Sequence, residues 1–304
     1  MTSFAEIPPP PGGFLLPFGA RTDGAGKLVI LDSGGFPSPT SLAIPRVYVY
    51  SYARTHHGFS ATLQRSVIVN VPFIFSEELE VISPGRYVIS DSGFGAIWII
   101  EPDGTVVPGI TPPTLNPADA IAKLAPCFFP PGATVGGIPF RAPGDFAPGV
   151  GALGTDGTHL YMSGTCRGGV SRVPLTVFSD ARPPWERAAD IEDVFVRPAG
   201  EVGTMKGLVF NRYNPNDRSL YALEPFNLRL VRINVETGQR TVLLDDPVLF
   251  NFPVGATFLP FPGLGEMVIT SDQEHRLAIL NAALTGDIIT PPFLLTKVFV
   301  QPTR

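Results

Sequence analysis

Apolar and polar positions alternate along this chain in short runs that are separated by turn residues. Runs such as KLVILDS (27–33) and RYVISDS (86–92) are rich in Val, Ile, Leu and Tyr, the residues that strands favour. Gly, Pro, Asp and Asn fill the gaps between the runs. A half-buried strand exposes every second residue, so this pattern predicts β-strands.

The predicted strands recur as one repeated unit. Each copy has a first strand with a glycine near its start, a second strand that ends in an acidic or small polar residue, and a third strand. The second strands are 27–33, 86–92, 159–164, 219–225 and 266–272, and the third strand of the last copy is 275–281. Fourth strands follow in several copies, for example 65–69, 193–198 and 240–244.

A four-stranded antiparallel sheet that repeats along a chain is typical of a propeller blade. The sequence therefore predicts an all-β fold, a β-propeller of four-stranded blades. Five blades are readable, and six blades are the alternative. We expect residues 1–304 to form a single domain.

Two insertions interrupt the repeat. Residues 110–147 form a long loop rich in Pro and Gly with a helix candidate at 116–124, and we expect either a lid over the central pocket or a surface elaboration. A second helix candidate, at 183–193, has prolines at its start, as helix entry favours.

Charge and composition narrow the classes of partner. The chain has 22 Lys and Arg against 27 Asp and Glu, with no basic run, so nucleic acid is not an expected partner. No apolar stretch approaches the roughly 20 residues that span a bilayer, so no membrane partner is expected. The first residues lack the features of a signal peptide, which predicts a cytoplasmic protein, with a secreted mature form as the alternative.

Cys127 and Cys166 are predicted either as a disulfide or as two unrelated buried thiols. The sequence gives no oligomeric state.

Several phrases resemble one propeller family. The run TDGAGKLVILDSGG (22–35), followed by PRVYVYSY (45–52), and the run GRYVISDSGFGAIWIIEPDG (85–104) resemble the royal-jelly/Yellow family. Its wider relatives are the SMP-30/gluconolactonase and NHL propellers. The resemblance implies six blades, and in the lactonase branch it implies a divalent cation held by acids at the starts of the innermost strands.

This chain departs from that pattern at the strand starts. Four copies begin with an apolar residue or a lysine followed by glycine: Phe18-Gly19, Val150-Gly151, Lys206-Gly207 and Val254-Gly255. Only the second copy keeps acids, Glu77 and Glu78. A hard cation such as Ca²⁺ takes six to eight oxygen ligands. We therefore predict neither a metal ion nor another cofactor.

Lys206 is the predicted catalytic cation, with Glu77 and Glu78 as its carboxylate partners. Phe18, Val150 and Val254 would line the pocket around it. A Lys–Glu pair in an apolar cavity can polarise a carbonyl or move a proton. The alternative is that Lys206 extends to solvent or makes a structural ion pair.

Acids recur at the ends of the second strands. They are Asp32, Asp91, Glu224 and Asp272. We assign Asp91, Glu224 and Asp272 to the mouth of the substrate pocket. The alternative is that such acids accept backbone hydrogen bonds in the turn that follows.

Together these features predict a metal-independent enzyme that isomerises or cyclises a small, largely apolar reactive intermediate in natural-product metabolism. The expected partner is a small hydrophobic substrate in the central pocket. One alternative is a divalent-metal-dependent lactonase or esterase of SMP-30 type. Another is a non-catalytic small-molecule-binding protein like the royal-jelly proteins.

Overall fold

The computed structural model describes residues 7–35, 44–55, 58–71, 75–114, 119–142, 148–260, 265–278, 281–289 and 294–301. Strands dominate these residues, and the helices described are short 3-10 turns at Leu175–Ser179, Glu186–Asp190 and Glu274–Arg276. None of the described helices has the length and apolar character that crossing a bilayer requires. The chain divides into two compact units, and the prediction of a single domain stays a prediction.

Unit one comprises residues 1–121 and 180–188 and carries two four-stranded antiparallel sheets. The first sheet consists of β1 (Pro17–Thr22), β2 (Lys27–Asp32), β3 (Arg46–Thr55) and β4 (Gly58–Ile68). The second consists of β5 (Leu79–Ser83), β6 (Arg86–Asp91), β7 (Ala96–Ile100) and β8 (Val106–Ile110). In both sheets each strand pairs with the next strand in the chain.

Unit two comprises residues 122–179 and 189–304 and carries two four-stranded antiparallel sheets, one three-stranded sheet and one small hairpin. The hairpin is β9 (Thr134–Val135) and β10 (Ile138–Pro139). The third sheet is β11 (Val150–Thr155), β12 (His159–Gly164), β13 (Val170–Pro174) and β14 (Glu192–Phe195). The fourth sheet is β15 (Lys206–Phe210), β16 (Ser219–Glu224), β17 (Arg229–Asn234) and β18 (Arg240–Asp245). The fifth sheet is β19 (Pro253–Phe258), β20 (Glu266–Ser271) and β21 (Leu294–Phe299).

Consecutive antiparallel pairing within each sheet is the blade pattern of a β-propeller. The all-β prediction and the five readable blades are confirmed, and we number the sheets as blades one to five in chain order. The predicted strands at 159–164 and 206–210 have the observed bounds of β12 and β15.

The third strand of blade five was predicted at the wrong place. The described residues of this segment, 275–278 and 281, turn locally: Arg276 N donates to Gln273 O at 2.8 Å, and the Asn281 side chain donates to His275 O at 2.8 Å. These bonds occupy backbone groups that a sheet would need. The strand is instead β21, whose sequence LLTKVF alternates between half-buried and exposed positions.

Apolar side chains of neighbouring strands pack into cores within each unit. In unit one, Val29, Leu31, Leu79, Ile89 and Trp98 belong to one buried cluster. In unit two, all six residues of β16 are buried, so this strand is covered on both faces. Burying one Val, Leu or Ile side chain contributes about 1.5–3 kcal/mol, so the near-continuous apolar runs of the second strands stabilise the blades strongly.

Residues 122–142 of the long insertion belong to unit two. Ala133 and Val135 of the insertion are buried in one cluster with Phe226 and Phe250. A disulfide joins Cys127 to Cys166, with 5.9 Å between the Cα atoms, so the alternative of two unrelated thiols is wrong. A role as a lid stays a prediction.

Neither helix candidate forms an α-helix where the structure describes it. Residues 116–118 of the first candidate lie outside the described residues, and 122–124 form a turn. The second candidate contains the 3-10 turn Glu186–Asp190 and the first two residues of β14. Such short segments are marginal as helices without strong tertiary packing.

Candidate functional site

The first strands of four blades carry a β-bulge at the glycine that marks their start. Each has one extra residue relative to its partner strand: between Pro17 and Gly19 in β1, Val150 and Ala152 in β11, Lys206 and Val209 in β15, and Pro253 and Gly255 in β19. The first strand of blade two lacks the glycine pair and has its register shift at its other end, between Val81 and Ser83. A bulge bends the strand and redirects a side chain. The residue–glycine pairs in the sequence therefore mark four places where the strand start is reshaped.

Glycine is needed at these starts because neighbouring first strands approach closely. Gly207 has a φ of 56°, and a Cβ atom there would lie 2.8 Å from Leu223 Cδ1 and 3.1 Å from Val254 O. In unit one, a Cβ atom on Gly19 would lie 3.3 Å from Glu78 Oε1 and from Leu79 N. A side chain at Gly207 would be both strained and obstructed.

Lys206 is a buried ammonium at the start of β15. Only 8% of the residue is exposed. Its Nζ donates to Gly151 O of the neighbouring strand β11 at 3.1 Å. An ammonium carries three N–H donors, so this bond fixes its position with one of them. The structure thus gives Lys206 a defined place among the first strands of unit two.

Val150 and Val254 lie at the strand starts on either side of Lys206. Strand β15 contacts β11 on one side and β19 on the other. Val150 is fully buried and Val254 is half-buried. Three of the predicted site residues are therefore carried by adjacent strands of unit two, and their surroundings are mainly apolar.

The other predicted first-strand residues lie in unit one. Phe18 is half-buried, and its ring meets that of Phe75 edge to face at 5.2 Å. Glu77 and Glu78 directly precede β5 and are 9% and 8% exposed. Their pairing with Lys206 stays a prediction.

Glu78 has a partner within unit one that the sequence analysis did not find. Arg21 on β1 lies 3.1 Å from Glu78 Oε1 and 3.2 Å from Glu80 Oε2. Burial by itself lowers the pKa of Arg21, but the charges of Glu78 and Glu80 outweigh it and raise the pKa above its ordinary value. Glu78 therefore has a structural role in joining β5 to β1.

Two second-strand acids bind backbone N–H groups. Asp32 accepts from the N–H groups of Leu15, Leu16 and Gly34 at 2.8, 2.7 and 3.1 Å. Asp91 accepts from Gly93 and Phe94 at 2.9 and 3.1 Å. Asp91 holds the turn that follows its strand, which is the alternative that the sequence analysis left open. Asp32 does so through Gly34 and also holds the segment before β1 through Leu15 and Leu16. A place for Asp91 at the mouth of a substrate pocket stays a prediction.

Glu224 occupies the same position in blade four and binds side chains instead. Arg197, which follows β14, lies 2.8 Å from Glu224 Oε1, and Arg240 Nε on β18 donates to the same oxygen at 2.9 Å. Glu224 is fully buried. Arg197 reaches it beside Gly203, where a Cβ atom would lie 2.8 Å from the guanidinium carbon. This cluster joins blades three and four.

Asp272 follows β20 in a strained stretch of backbone. Its N–H donates to Phe252 O at 3.3 Å, and Phe252 and Gln273 have φ values of 67° and 64°. Non-glycine residues rarely adopt such values, and they do so where the surrounding structure enforces them. The assignment of Asp272 to a pocket mouth stays a prediction.

His275 lies beside this stretch and was not predicted as a site residue. It is 2% exposed and its ring stacks on Phe252 with 5.2 Å between centroids. Burial, with a smaller effect from the Arg276 cation, lowers the pKa of His275 to about 4. No group of three or more His, Cys, Asp or Glu residues is arranged to hold a metal ion in the described part of the chain.

Comparison with known proteins bears on the fold. No protein-family model and no curated protein matches the chain. A chain of a nidogen/laminin complex is 14% identical, with a TM-score of 0.51 over 84% of this chain and 72% of that one.

The chain has the β-propeller fold.

Two other solved structures are similar at lower TM-score. The virginiamycin B lyase from Staphylococcus aureus is 14% identical, with a TM-score of 0.45 over 94% of this chain and 85% of that one. A putative 6-phosphogluconolactonase from Bacteroides fragilis is also 14% identical, with a TM-score of 0.45 over 98% and 89%. At this TM-score, the similarity to these two structures gives no information about the activity of this chain. The comparisons give no support for the narrower royal-jelly/Yellow resemblance.

The residues that sequence reasoning missed are mainly arginines. Arg21, Arg197 and Arg240 each bind an acid that is distant in the chain, for example over 27 residues for Arg197 and Glu224. A strand pattern does not reveal such pairs. The one available signal was the low proportion of charged residues, 16%, which makes each charge inside an apolar run noteworthy.

Proposed function

We propose that this propeller is an enzyme that isomerises or cyclises a small, largely apolar carbonyl compound without a metal ion, with Lys206 as the group that polarises the carbonyl. The observation that carries the proposal is the placement of Lys206. Its ammonium is buried at a bulged strand start, is oriented by Gly151 O, and is flanked by Val150 and Val254. Such surroundings strengthen the interaction of a cation with developing negative charge.

The chemistry follows from the donors of an ammonium. In the proposal, an N–H of this ammonium donates to a substrate carbonyl and stabilises the enolate that forms when the adjacent carbon loses a proton. A carboxylate takes that proton and returns it to a different carbon, which moves the double bond and needs no co-reactant. Cyclisation follows when the enolate carbon attacks a second electrophilic carbon of the same molecule.

The proposal assigns the carboxylate role to Glu77 before Glu78. Glu78 is already paired with Arg21, so its removal would also disturb unit one. Phe18, Asp91, Glu224 and Asp272 enter the proposal as residues around the substrate. The substrate class, small and largely apolar, rests on Val150 and Val254.

The test is exchange of α-protons in deuterated water, measured by mass spectrometry on a panel of small cyclic and aromatic ketones. The wild-type protein should catalyse deuterium uptake in at least one of them, and Lys206→Met should lower the rate about a hundredfold or more, the size of effect that removal of an oxyanion donor has. Lys297→Met is the matched control, because Lys297 is half exposed and pairs with Glu266 on the fifth blade. Thermal melting of each variant establishes that it is folded.

A double-mutant cycle with Glu77→Gln tests the partner. If Glu77 acts together with Lys206, the double variant should be no slower than the slower single variant. Unchanged exchange in Lys206→Met would refute the proposal. Lactone hydrolysis that EDTA abolishes and Lys206→Met leaves intact would establish the metal-dependent alternative in its place. Tight retention of a ketone without any exchange would indicate the binding protein.

A further inference from the structure

Blade three carries a cleft that the proposed function does not use. It lies within unit two, between the turn after β12, the start of β13, the end of β14 and Lys123 of the insertion, and its volume is about 240 Å³. We call it the blade-three cleft. Arg167, Lys123, Arg197, Asp193 and Phe195 are among the residues that line it. Lys206, Val150 and Val254 are not.

Most charges in the cleft are already paired. Lys123 Nζ lies 3.2 Å from Asp193 Oδ1 and also donates to Ile191 O at 2.9 Å. Arg197 is paired with the buried Glu224 and, at 3.3 Å, with Glu201. The charges of Lys123, Asp193 and Arg197 are therefore compensated by their partners.

Arg167 is the exception. It is exposed, and its guanidinium makes no ion pair or hydrogen bond within the described residues. The cleft therefore has one uncompensated positive charge, on a side chain whose planar donors match a carboxylate.

The remaining surface of the cleft is partly apolar. Val170, Phe195 and Val196 line it together with glycines of the turn, and Val196 is 71% exposed. An exposed valine beside an unpaired arginine offers a ligand an apolar contact and a charge within one small space. The volume of about 240 Å³ lies below the roughly 300–1,000 Å³ of pockets that hold drug-sized ligands, so the ligand is a small one.

The walls of the cleft are held in place. The Cys127–Cys166 disulfide ties the segment that follows Lys123 to the turn that carries Arg167. Within that turn Gly168 N donates to Gly164 O at 3.1 Å, and Arg197 Nε donates to Gly168 O at 3.2 Å. A site that is already ordered loses less conformational entropy on binding.

We propose that the blade-three cleft binds a small organic monocarboxylate with an apolar body. Arg167 holds the carboxylate, and Val196 and Phe195 contact the body. A single uncompensated charge suits a monoanion. A second negative charge, as on phosphate, would have no further uncompensated cation among the described residues that line the cleft, because Lys123 and Arg197 are already paired.

Benzoate is the probe, titrated by calorimetry and by amide NMR of the whole protein. We expect saturable binding below about 10 mM. Shift changes should be centred on Gly168, Gly169 and Ser171. Arg167→Gln should weaken binding about tenfold or more, since it removes a bidentate charged contact. Arg212→Gln, which changes another exposed arginine of unit two, should leave binding unchanged.

Three further ligands and one further variant test whether the cleft prefers a monocarboxylate with an apolar body. Benzamide keeps the ring and lacks the charge, so it should bind more weakly than benzoate. Acetate should also bind more weakly because it lacks the apolar body, and Val196→Ser should reduce benzoate affinity more than acetate affinity. Inorganic phosphate should not displace benzoate.

The proposal is overturned by any of four results: no saturable binding of benzoate, unchanged binding in Arg167→Gln, equal binding of benzamide, or displacement of benzoate by phosphate. The experiment is independent of the proposed function, because Lys206→Met should bind benzoate as the wild type does. Loss of benzoate binding in Arg167→Gln with normal proton exchange would separate the two sites.

Discussion

Blades one and four differ at one equivalent position, the last residue of the second strand. In blade one, Asp32 accepts three backbone N–H groups close to it in space. In blade four, Glu224 is bound by Arg197 and Arg240 and makes no comparable backbone cap within the described residues. The two side chains differ by one methylene group.

The difference shows how side-chain length changes the reach of a buried carboxylate. The short aspartate binds the backbone N–H groups of Leu15 and Leu16, which precede β1, and of Gly34 in the turn that follows, and Asp91 in blade two likewise binds the turn that follows it. The longer glutamate reaches past the turn to guanidinium groups on β18 and after β14. At this position, blade four therefore depends on a buried charge cluster, whereas blade one depends on hydrogen bonds from backbone N–H groups to a carboxylate.

Removal of Glu224 should have the largest effect. Glu224→Ala leaves two arginines near each other without their shared carboxylate, and loss of one partner of a buried pair costs about 3–5 kcal/mol. The free energy of unfolding, measured in urea, should fall by that amount. Glu224→Asp should recover only part of the loss, because the shorter side chain does not reach both arginines.

Glu201→Gln is the control for this variant. Glu201 also pairs with Arg197, but it is 45% exposed, and exposed pairs contribute less than about 1 kcal/mol. If Glu201→Gln and Glu224→Ala destabilised the protein equally, the cluster would not depend on burial.

Acid should destabilise the protein through His275 of unit two. The pKa of His275 is about 4 in the folded protein and about 6.5 in the unfolded chain. The unfolded state therefore binds a proton first, and stability falls as pH decreases from about 6.5 to 4, by up to about 3 kcal/mol. His275→Gln should remove this part of the pH dependence, measured as the change in urea midpoint between pH 7 and pH 4.5. An unaltered pH profile in His275→Gln would contradict the assignment.

Removal of the cap in blade one should have the smallest effect. Asp32→Ala leaves three backbone N–H groups without their carboxylate, and water can reach some of them because Leu15 is exposed. We expect a loss of about 1–2 kcal/mol, and a smaller loss for Asp32→Asn, which keeps one acceptor oxygen. A loss as large as that of Glu224→Ala would remove the distinction between the two blades.

The strands could be predicted from sequence because their apolar periodicity is local. Strands β12 and β15 have the predicted bounds, and the glycines of the first strands marked bulges. β21 was missed because 275–281 has a similar apolar content and lies nearer in the chain. The hydrogen bonds of Arg276 N and of the Asn281 side chain show that the described residues of this segment turn.

The candidate site was less predictable because it depends on contacts between residues that are distant in the chain. The bond from Gly34 to Asp32 lies in the turn that follows and agrees with one predicted alternative, whereas the bonds from Leu15 and Leu16 join residues distant in the chain and were not predicted. The Arg197–Glu224–Arg240 cluster depends on contacts between blades, and neither arginine was singled out. The proximity of Lys206 to Gly151 O likewise follows from the packing of β15 beside β11.

The consecutive pairing of strands has a consequence for the rate of folding. Blade four closes within Lys206–Asp245 with no crossover, so each strand finds its partner over a short loop. Short loops cost little closure entropy, and local contacts favour fast folding. Blade five differs, since β21 begins at Leu294 and must return to β20, which ends at Ser271. We therefore expect the β19–β20 hairpin to form early and the docking of β21 to be a later step, visible in pulsed hydrogen exchange as delayed protection of 294–299.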